Sequence, residues 1–329
     1  MQAIVCHRFA PVDDLVLETA WPSSPLGPGD VRIAVRAAGV NFPDSLKVEG
    51  RYQIKPPLPW IPGSEVAGVV AEVGADVRSH RVGQRVIGIP DWHAGGFATE
   101  LVLPAMRVLP IDDRLGFEAA AAIPIVYGTS YYALKRRGEL KPGETLLVLG
   151  AAGGVGLATV QLGKALGARV IAAASTEAKR ALAREHGADE TIDYTQPDWR
   201  LAVKALTSDK GVDVIYDPVG GDSFDEAIRC IGWMGRYLVV GFTSGRIPTL
   251  KVNLPLVKGY DVRGVRHDVW RDTLWEEEAR DDMAQLLAWQ AEGRISALVT
   301  ATYPLAQAVQ AINDITARKT TGKVVLTMP

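Results

Sequence analysis

The feature that most constrains this chain is a glycine-rich turn, LLVLGAAGGVG, at residues 146–156. A run of β-forming residues leads directly into the turn, and helix-forming residues follow it at once. Glycine lacks a Cβ atom, so the backbone can turn tightly here and approach a pyrophosphate closely. The amide groups and the positive dipole end of the following helix then bind the anion. The turn therefore predicts a dinucleotide-binding strand–turn–helix unit rather than a tight turn without a ligand.

The turn departs from the usual G-x-G-x-x-G fingerprint at one place. The glycines of the fingerprint fall at positions 151, 153 and 156, and position 151 is alanine here. The preceding strand and the following helix supply the context that the motif requires. The residues that we expect to contact the cofactor in the turn are Ala152, Gly153, Gly154 and Val155.

From about residue 125 onward, strand and helix patterns alternate. The candidate strands are 145–149, 169–174, 190–194, 212–216, 236–240 and 261–265. Helix-forming stretches lie between several of these strands, and each stretch ends at a glycine, which is a common helix stop. Alternation at this interval predicts parallel βαβ units and an open, doubly wound α/β sheet of the Rossmann type.

The first 120 residues have a different pattern. Short β-rich runs at 2–8, 31–37, 66–73, 85–89 and 97–103 alternate with stretches rich in Gly and Pro. This pattern is typical of a compact, β-barrel-like domain. After residue 268 we expect helices at 272–293 and 304–318 and a strand at 321–327.

The last segment could complete the first domain, with the doubly wound unit inserted between the two parts. The sequence pattern alone leaves this topology open.

The segment after the second strand indicates which dinucleotide binds. NAD sites place an acidic residue there to accept a hydrogen bond from the ribose 2′-hydroxyl. This chain has Ser175 at that place, with Lys179 and Arg180 close behind. A hydroxyl and a cation suit a 2′-phosphate, and Glu177 can point away from the site because it begins a helix. We predict NADPH as the cofactor and expect at least one of the two cations to be an ordinary surface residue.

Two further loops lie at the carboxyl edge of the predicted sheet, where open α/β sheets bind ligands. After the fifth strand come Gly241, Phe242, Thr243 and Ser244. After the sixth come Val265, Arg266 and His267, whose backbone we expect near the carboxamide of the cofactor. We expect the His267 side chain to be a rim residue rather than a general acid.

Composition excludes several classes of function. The 36 Lys and Arg residues nearly balance the 38 Asp and Glu residues, which argues against nucleic acid or an anionic membrane as a partner. Cys6 and Cys230 cannot form a disulfide framework, so we expect a reducing, cytoplasmic location. The uncharged stretch 145–163 contains five glycines and predicts strand, turn and helix rather than a membrane span.

Several segments resemble one family. AAGVNFPDSLKVEGRYQIKPPLPWIPGSEVAGVVAEVG (37–74), IPIVYGTSYYAL (123–134), GRYLVVGFTSG (235–245) and TGKVVL (321–326) are similar to segments of the medium-chain dehydrogenase/reductase superfamily. Within it, the zinc-free quinone oxidoreductase branch, which includes zeta-crystallin, matches best. The resemblance implies a GroES-like β-rich catalytic domain at 1–124 plus 268–329, with an inserted NADPH-binding Rossmann domain at 125–267.

The resemblance also implies roles for single residues. Asn41 would lie beside the nicotinamide and the substrate carbonyl, although it could simply cap the turn before Pro43. Tyr52 would bind or protonate a substrate oxygen, or be a partly buried structural tyrosine. Three more residues would contact the cofactor: Thr129 near the nicotinamide ring, Tyr194 near the 2′-phosphate, and Lys323, which could instead pair with a carboxylate.

Zinc-containing members of the superfamily have a cysteine near position 38 or 39 and a His-Glu pair near 64–65. This chain has Ser64-Glu65 there and no cysteine between residues 7 and 229. Its histidines, at 7, 80, 93, 186 and 267, show no ligand spacing. We therefore expect no metal.

A zinc-free site lacks the Lewis acid that makes an alcohol a good hydride donor, and an electrophilic acceptor needs less help. We expect an NADPH-dependent reductase of a small-molecule quinone or activated enone. The alternatives are an enoyl-thioester reductase and a catalytically idle, crystallin-like NADPH-binding protein. By resemblance, we also expect a homodimer joined through the edge strand at 261–265.

Overall fold

The computed structural model describes residues 1–91, 94–274 and 278–329, and these residues form two compact units. The first unit comprises Met1–Ile125, Met283–Ala291 and Ala297–Pro329. The second comprises Val126–Asp282 and Glu292–Ser296. In the described part of the chain, every helix is too short or too polar to cross a bilayer.

The first unit is built on β-sheet. Its strands are β1 (Ala3–Val5), β2 (Val16–Glu18), β3 (Asp30–Val40), β4 (Val66–Val73), β5 (Arg85–Gly88), β6 (Glu100–Pro104), β7 (Val108–Pro110), β14 (Val299–Pro304) and β15 (Lys323–Thr327). Strands β1 and β2 form a small sheet, and the others form one sheet in the order β14-β15-β3-β4-β5-β7, with β6 also paired to β3. Strand β15 runs antiparallel to β3, so the end of the chain lies beside residues 37–40.

Short helices cover this sheet. The first unit contains α1 (Phe42–Val48), α2 (Phe117–Ala121) and α11 (Ala308–Thr316), and α10 (Arg280–Ala291) lies mostly within it. Apolar side chains from β3, β4, β15 and α11 form the core of the unit. In β3, buried and partly exposed residues alternate over the first half, as expected for a strand with one buried face.

The second unit has the expected open parallel sheet. Its strands are β8 (Thr145–Leu149), β9 (Arg169–Ala173), β10 (Glu190–Ile192), β11 (Val212–Asp217), β12 (Ile231–Val239) and β13 (Asp261–Gly264). They pair in parallel in the order β10-β9-β8-β11-β12-β13. The order reverses between β8 and β11, which is the switch point where such sheets bind ligands.

The helices of the second unit are α3 (Val126–Tyr131), which continues as a π-helical turn over 132–137, α4 (Gly154–Ala165), α5 (Glu177–Glu185), α6 (Trp199–Leu206), α7 (Gly221–Ala227), α8 (Asn253–Lys258) and α9 (His267–Thr273). Helices α4 to α8 connect the strands of the sheet, while α3 precedes the first strand and α9 follows the last. Buried residues of α4 pack on β8 and β9, which explains the apolar composition of 157–162.

Two parts of the last segment differ from the predicted elements. Of the helix expected at 272–293, the structure contains α10, while α9 ends at Thr273 and residues 275–277 lie outside the described residues. Strand β14 was not predicted, because only alternate side chains of this short edge strand are partly buried.

The second unit extends beyond residue 267, where we expected the first domain to resume. The Trp270 ring stacks on Tyr132, with ring centroids 4.8 Å apart, and the Arg136 guanidinium bonds Asp282 at 3.0 and 3.1 Å. These contacts hold 268–274 and 278–282 against the second unit, and the first unit resumes at Met283.

Candidate active site

The glycine turn joins β8 to α4 in the second unit. Gly150 has a φ of 60°, a left-handed conformation that favours glycine. A Cβ atom on Gly156 would lie 2.2 Å from the Gly150 carbonyl oxygen, so only glycine allows helix and turn to approach this closely. Gly153 caps α4 and is exposed, while Ala152 is buried. The first-turn amides of α4 lack partners within the helix and can bind an anion.

Buried hydroxyl groups bond the backbone of the first turn of α4, directly after the glycine turn. The Ser130 and Thr159 hydroxyls donate to the Val155 carbonyl at 3.0 and 2.7 Å, and Ser130 lies 3.2 Å from the Tyr216 hydroxyl. Burial raises the pKa of Tyr216 to about 12, so the phenol stays protonated and can donate. This network was not predicted, because its only signal in the sequence is a hydroxyl residue among the apolar residues of α3 and of α4.

In the segment after β9, the two candidate cations, Arg180 and Lys179, have different surroundings. The Arg180 guanidinium lies 2.9 Å from Asp193 and 3.1 Å from Glu177, so this cation is committed to its neighbours. Arg184, on the same helix, also pairs with Glu177, so the Glu177 carboxylate is held along α5. The Lys179 ammonium has no hydrogen-bond or ion-pair partner among residues 1–91, 94–274 and 278–329. Ser175 is half-buried just before the helix.

The loops after the other strands pack on one another at the carboxyl edge of the sheet. The buried Asp217 carboxylate accepts the Val219 and Gly220 amides at 2.7 and 2.9 Å and the Tyr237 hydroxyl at 2.8 Å. The 241–244 loop bonds back onto this turn through the Thr243 amide and hydroxyl and the Ser244 amide.

The remaining candidates at this edge of the sheet have modest contacts. The half-buried Tyr194 side chain packs against the apolar core of the second unit. Gly241 and Phe242 are partly exposed, and the Phe242 ring lies close to Gly220.

His267 is not a rim residue, because the structure buries it with 7% of its surface exposed. The Tyr132 and Trp270 rings pack beside it, with centroids 5.8 and 6.1 Å away, and its Nδ1 lies 3.3 Å from the Thr129 hydroxyl. Burial, together with the nearby Arg271, lowers the pKa of His267 to about 3. The imidazole is therefore neutral near physiological pH.

The residues beside His267 are in more ordinary surroundings. The Val265 amide continues the sheet by bonding the Val239 carbonyl at 2.9 Å. The Arg266 guanidinium lies at the surface, 3.0 Å from Asp268.

In the first unit, a buried ion pair lies where β3 ends. The Lys323 ammonium is 2.5 Å from Glu65 Oε1, 2.6 Å from Asn41 Oδ1 and 3.0 Å from the Val40 carbonyl. The Asn41 amide donates to Glu65 Oε1 at 2.8 Å, and the Ile125 amide donates to Oε2 at 2.7 Å. Three buried side chains thus satisfy one another's hydrogen bonds.

This cluster changes the expected roles of two residues. Lys323 is only 4% exposed and pairs with a carboxylate, which is the alternative that the sequence left open. Both polar atoms of the Asn41 side chain bond within the cluster, while its backbone amide donates to Asp44 at 2.8 Å. A Cβ atom on Gly39 would lie 2.2 Å from Glu65 Oε1, so glycine makes room for the carboxylate.

Asp44 and Tyr52 lie close to this cluster along the chain. Asp44 is fully buried, and burial raises its pKa to about 6, although the Lys47 charge opposes the shift. Tyr52 is half-buried, and its amide bonds the Leu46 carbonyl at 3.0 Å, so the residue folds back over the end of α1.

Among the described residues, no three His, Cys, Asp or Glu side chains are grouped closely enough to hold a metal ion. Glu65, beside the place where the zinc-containing members have a ligand, is committed to Lys323. His93 lies outside the described residues.

Comparison with known proteins agrees with this architecture. The profile of the alcohol dehydrogenase GroES-like domain matches residues 27–113, and that of the zinc-binding dehydrogenases matches residues 154–288. The chain is 39% identical to the quinone oxidoreductase-like protein 2 homolog of Nematostella vectensis, over 99% of this chain and 88% of that protein. It is 32% identical to the 2-haloacrylate reductase of a Burkholderia species, over 99% and 98% of the two chains.

Solved structures give the same result. The quinone oxidoreductase of Escherichia coli, complexed with NADPH, superposes with a TM-score of 0.90 at 29% identity, over 99% of this chain and all of that one. The α/β architecture, with a GroES-like first unit and a Rossmann-type second unit, is therefore confirmed. The chain belongs to the medium-chain dehydrogenase/reductase superfamily, in its quinone oxidoreductase branch.

Proposed function

We propose that this protein is an NADPH-dependent reductase that transfers a hydride to a quinone or an activated enone without a metal. The observation that carries the proposal is a tight glycine turn followed, after the next strand, by Lys179, a cation without a partner in the described part of the chain. The relatives named quinone oxidoreductase-like protein and 2-haloacrylate reductase support the choice of acceptor.

The residues of the second unit suit NADPH rather than NADH. The Lys179 ammonium, which has no partner among the described residues, can bind a 2′-phosphate, and the half-buried Ser175 hydroxyl can donate to the same group. Glu177, which would repel that phosphate, is held by Arg180 and Arg184. NADPH, when bound, supplies the hydride.

The remaining cofactor contacts in this proposal come from the loops at the carboxyl edge of the sheet. Asp217 organises the turn after β11, so the backbone of the 241–244 loop is held ready for the cofactor. Val265, Arg266 and Tyr194 contribute at the same edge. Thr129 contributes its hydroxyl, which the neutral His267 ring orients.

On the first unit, we propose Tyr52 as the proton donor to the oxygen of the reduced acceptor. A phenol is neutral at physiological pH and can both bind a carbonyl oxygen and protonate it. Asn41 acts as a positioning residue, because its side chain ties the start of α1 to Glu65 and Lys323.

Oxidation of NADPH, followed at 340 nm, tests the proposal directly. The acceptors are 1,4-benzoquinone, 9,10-phenanthrenequinone, an alkenal and an enoyl-CoA. We expect turnover with a quinone or with the alkenal. Turnover with the enoyl-CoA alone would identify an enoyl-thioester reductase. Tight NADPH binding without turnover of any acceptor would indicate an idle, crystallin-like protein.

We also propose that two copies of the chain pair through β13, which lies at the edge of the parallel sheet. An edge strand presents unpaired backbone groups that another strand can bond. Large apolar side chains are exposed near it on α8 and on β12, where Gly259 lies close to Met234 and Trp233. The exposed members are Trp233, Met234, Val252, Leu256, Val257 and Val262. Such a patch favours a second copy of the same surface.

Light scattering tests this pairing. We expect a mass of about twice the 35.4 kDa of one chain. Leu256→Asp, which places a charge on a side chain that is 83% exposed, should give monomers. Leu201→Asp is the matched control, because Leu201 is 53% exposed on α6, and it should stay dimeric. A monomeric native protein would contradict the proposal.

A further inference from the structure

The candidate proton donor has a cation beside it that neither the sequence nor the family pattern singled out. The Lys47 ammonium, on the last turn of α1, lies 5.6 Å from the centroid of the Tyr52 ring. It also donates to the Ser64 hydroxyl at 2.8 Å, a contact between α1 and the segment that precedes β4. A long lysine side chain would otherwise sample many conformers, and the serine restricts it.

The backbone brings Tyr52 to this cation. The Arg51 and Tyr52 amides both bond the Leu46 carbonyl, at 2.8 and 3.0 Å, so the chain folds back over the end of α1. Gly50 permits the reversal, because its φ is 66° and a Cβ atom there would lie 2.9 Å from the Phe9 ring. The pairing of Lys47 with the tyrosine is therefore fixed by the fold.

The other charged groups around Lys47 do not cancel the electrostatic effect of its ammonium on the Tyr52 phenol. Asp44, one turn earlier on α1, is buried and attracts the ammonium, but its raised pKa of about 6 weakens that attraction toward acidic pH. Glu65 is neutralised by Lys323, at 2.5 Å. Glu49 and Arg51 pair with each other at 2.9 Å in the turn before Tyr52.

We propose that Lys47 is the positioning residue of Tyr52, holding the ring in place and stabilising the phenolate that forms when the tyrosine gives up its proton. This inference rests on the proposed function. Hydride addition to a carbon of the acceptor leaves a negative charge on the carbonyl oxygen. The Tyr52 O–H bond then breaks, a new O–H bond forms on the acceptor, and the phenolate is reprotonated from solvent. An ammonium beside a phenol favours its ionised form and makes it a stronger acid.

The test compares Lys47→Met with the native enzyme, using the acceptor that the NADPH assay identifies. We expect kcat to fall roughly 10-fold to 100-fold, with the Kd for NADPH unchanged. Lys47→Arg keeps the cation and should recover most of kcat. Lys55→Met is the matched control, because Lys55 lies over another ring, Phe9, at 5.8 Å, and its kcat should equal that of the native enzyme.

A double-mutant cycle separates action through Tyr52 from a general loss of structure. In a Tyr52→Phe background, Lys47→Met should lower kcat no further, because the group it assists is gone. An unchanged kcat in Lys47→Met, or the same fold loss with and without Tyr52, would overturn the inference while the proposed function stands. A native enzyme that turns over no acceptor would instead remove the proposed function, and this inference with it.

Discussion

Lys323→Met is expected to destabilise the first unit by about 3–5 kcal/mol, the usual cost of removing one partner of a buried ion pair. Glu65 is fully buried, and Lys323 gives it a bond of 2.5 Å, so the variant leaves a carboxylate without its counter-charge. Asn41 Oδ1 and the Val40 carbonyl lose a donor at the same time. Thermal unfolding should show the loss as a fall in Tm of roughly 10 °C.

A second substitution shows whether the loss of stability in Lys323→Met comes from breaking the ion pair. Glu65→Gln in the Lys323→Met background removes the isolated charge, so we expect the double variant to regain part of the lost stability. Lys319→Met is the surface control, because Lys319 is 70% exposed and lies 3.5 Å from Asp314, and it should change the Tm little. A Tm for Lys323→Met that equals the native value would contradict the account of this cluster.

Lys179→Met is expected to weaken NADPH binding by roughly 10-fold to 100-fold and to leave NADH binding unchanged. A hydrogen bond to a charged group contributes about 1.5–3 kcal/mol, and only NADPH carries the 2′-phosphate that would use it. The side chain has no partner in the described part of the chain, so its removal should not disturb the fold. Fluorescence titration with each reduced nicotinamide measures the two dissociation constants.

The matched control for this substitution is Lys164→Met. Lys164 lies in the last turn of α4, at the opposite end from the glycine turn, where it pairs with Asp189 at 2.8 Å. The control should keep the native preference between the two nicotinamides. Equal weakening of NADPH and NADH by Lys179→Met would show that this lysine does not read the 2′-phosphate.

Local sequence patterns predicted much of the second unit. The bounds of β8 match the prediction, and β9 ends one residue earlier, because continuous apolar runs between glycine stops mark buried parallel strands. The glycine turn was recognisable for a similar reason, since strand, turn and helix are adjacent in the chain. Only β12 begins well before its predicted start, at Ile231.

The parts that the sequence could not predict depend on contacts between distant residues. Glu65 and Lys323 are 258 positions apart, and neither carries a local signal that it is buried and paired. His267 has polar neighbours in the sequence, which suggested a rim position, but the Tyr132 and Trp270 rings enclose it. The ion pair that commits Arg180 likewise involves a residue from another part of the chain, Asp193 in the loop after β10.

The proposed function depends most on a nucleotide site that distinguishes NADPH from NADH by the 2′-phosphate. The direct measurement is the dissociation constant of the native protein for NADPH and for NADH under identical conditions. We expect NADPH to bind at least about 10-fold more tightly, as one charge-assisted contact would give. Equal affinities for the two cofactors, or tighter binding of NADH, would contradict the proposed NADPH site.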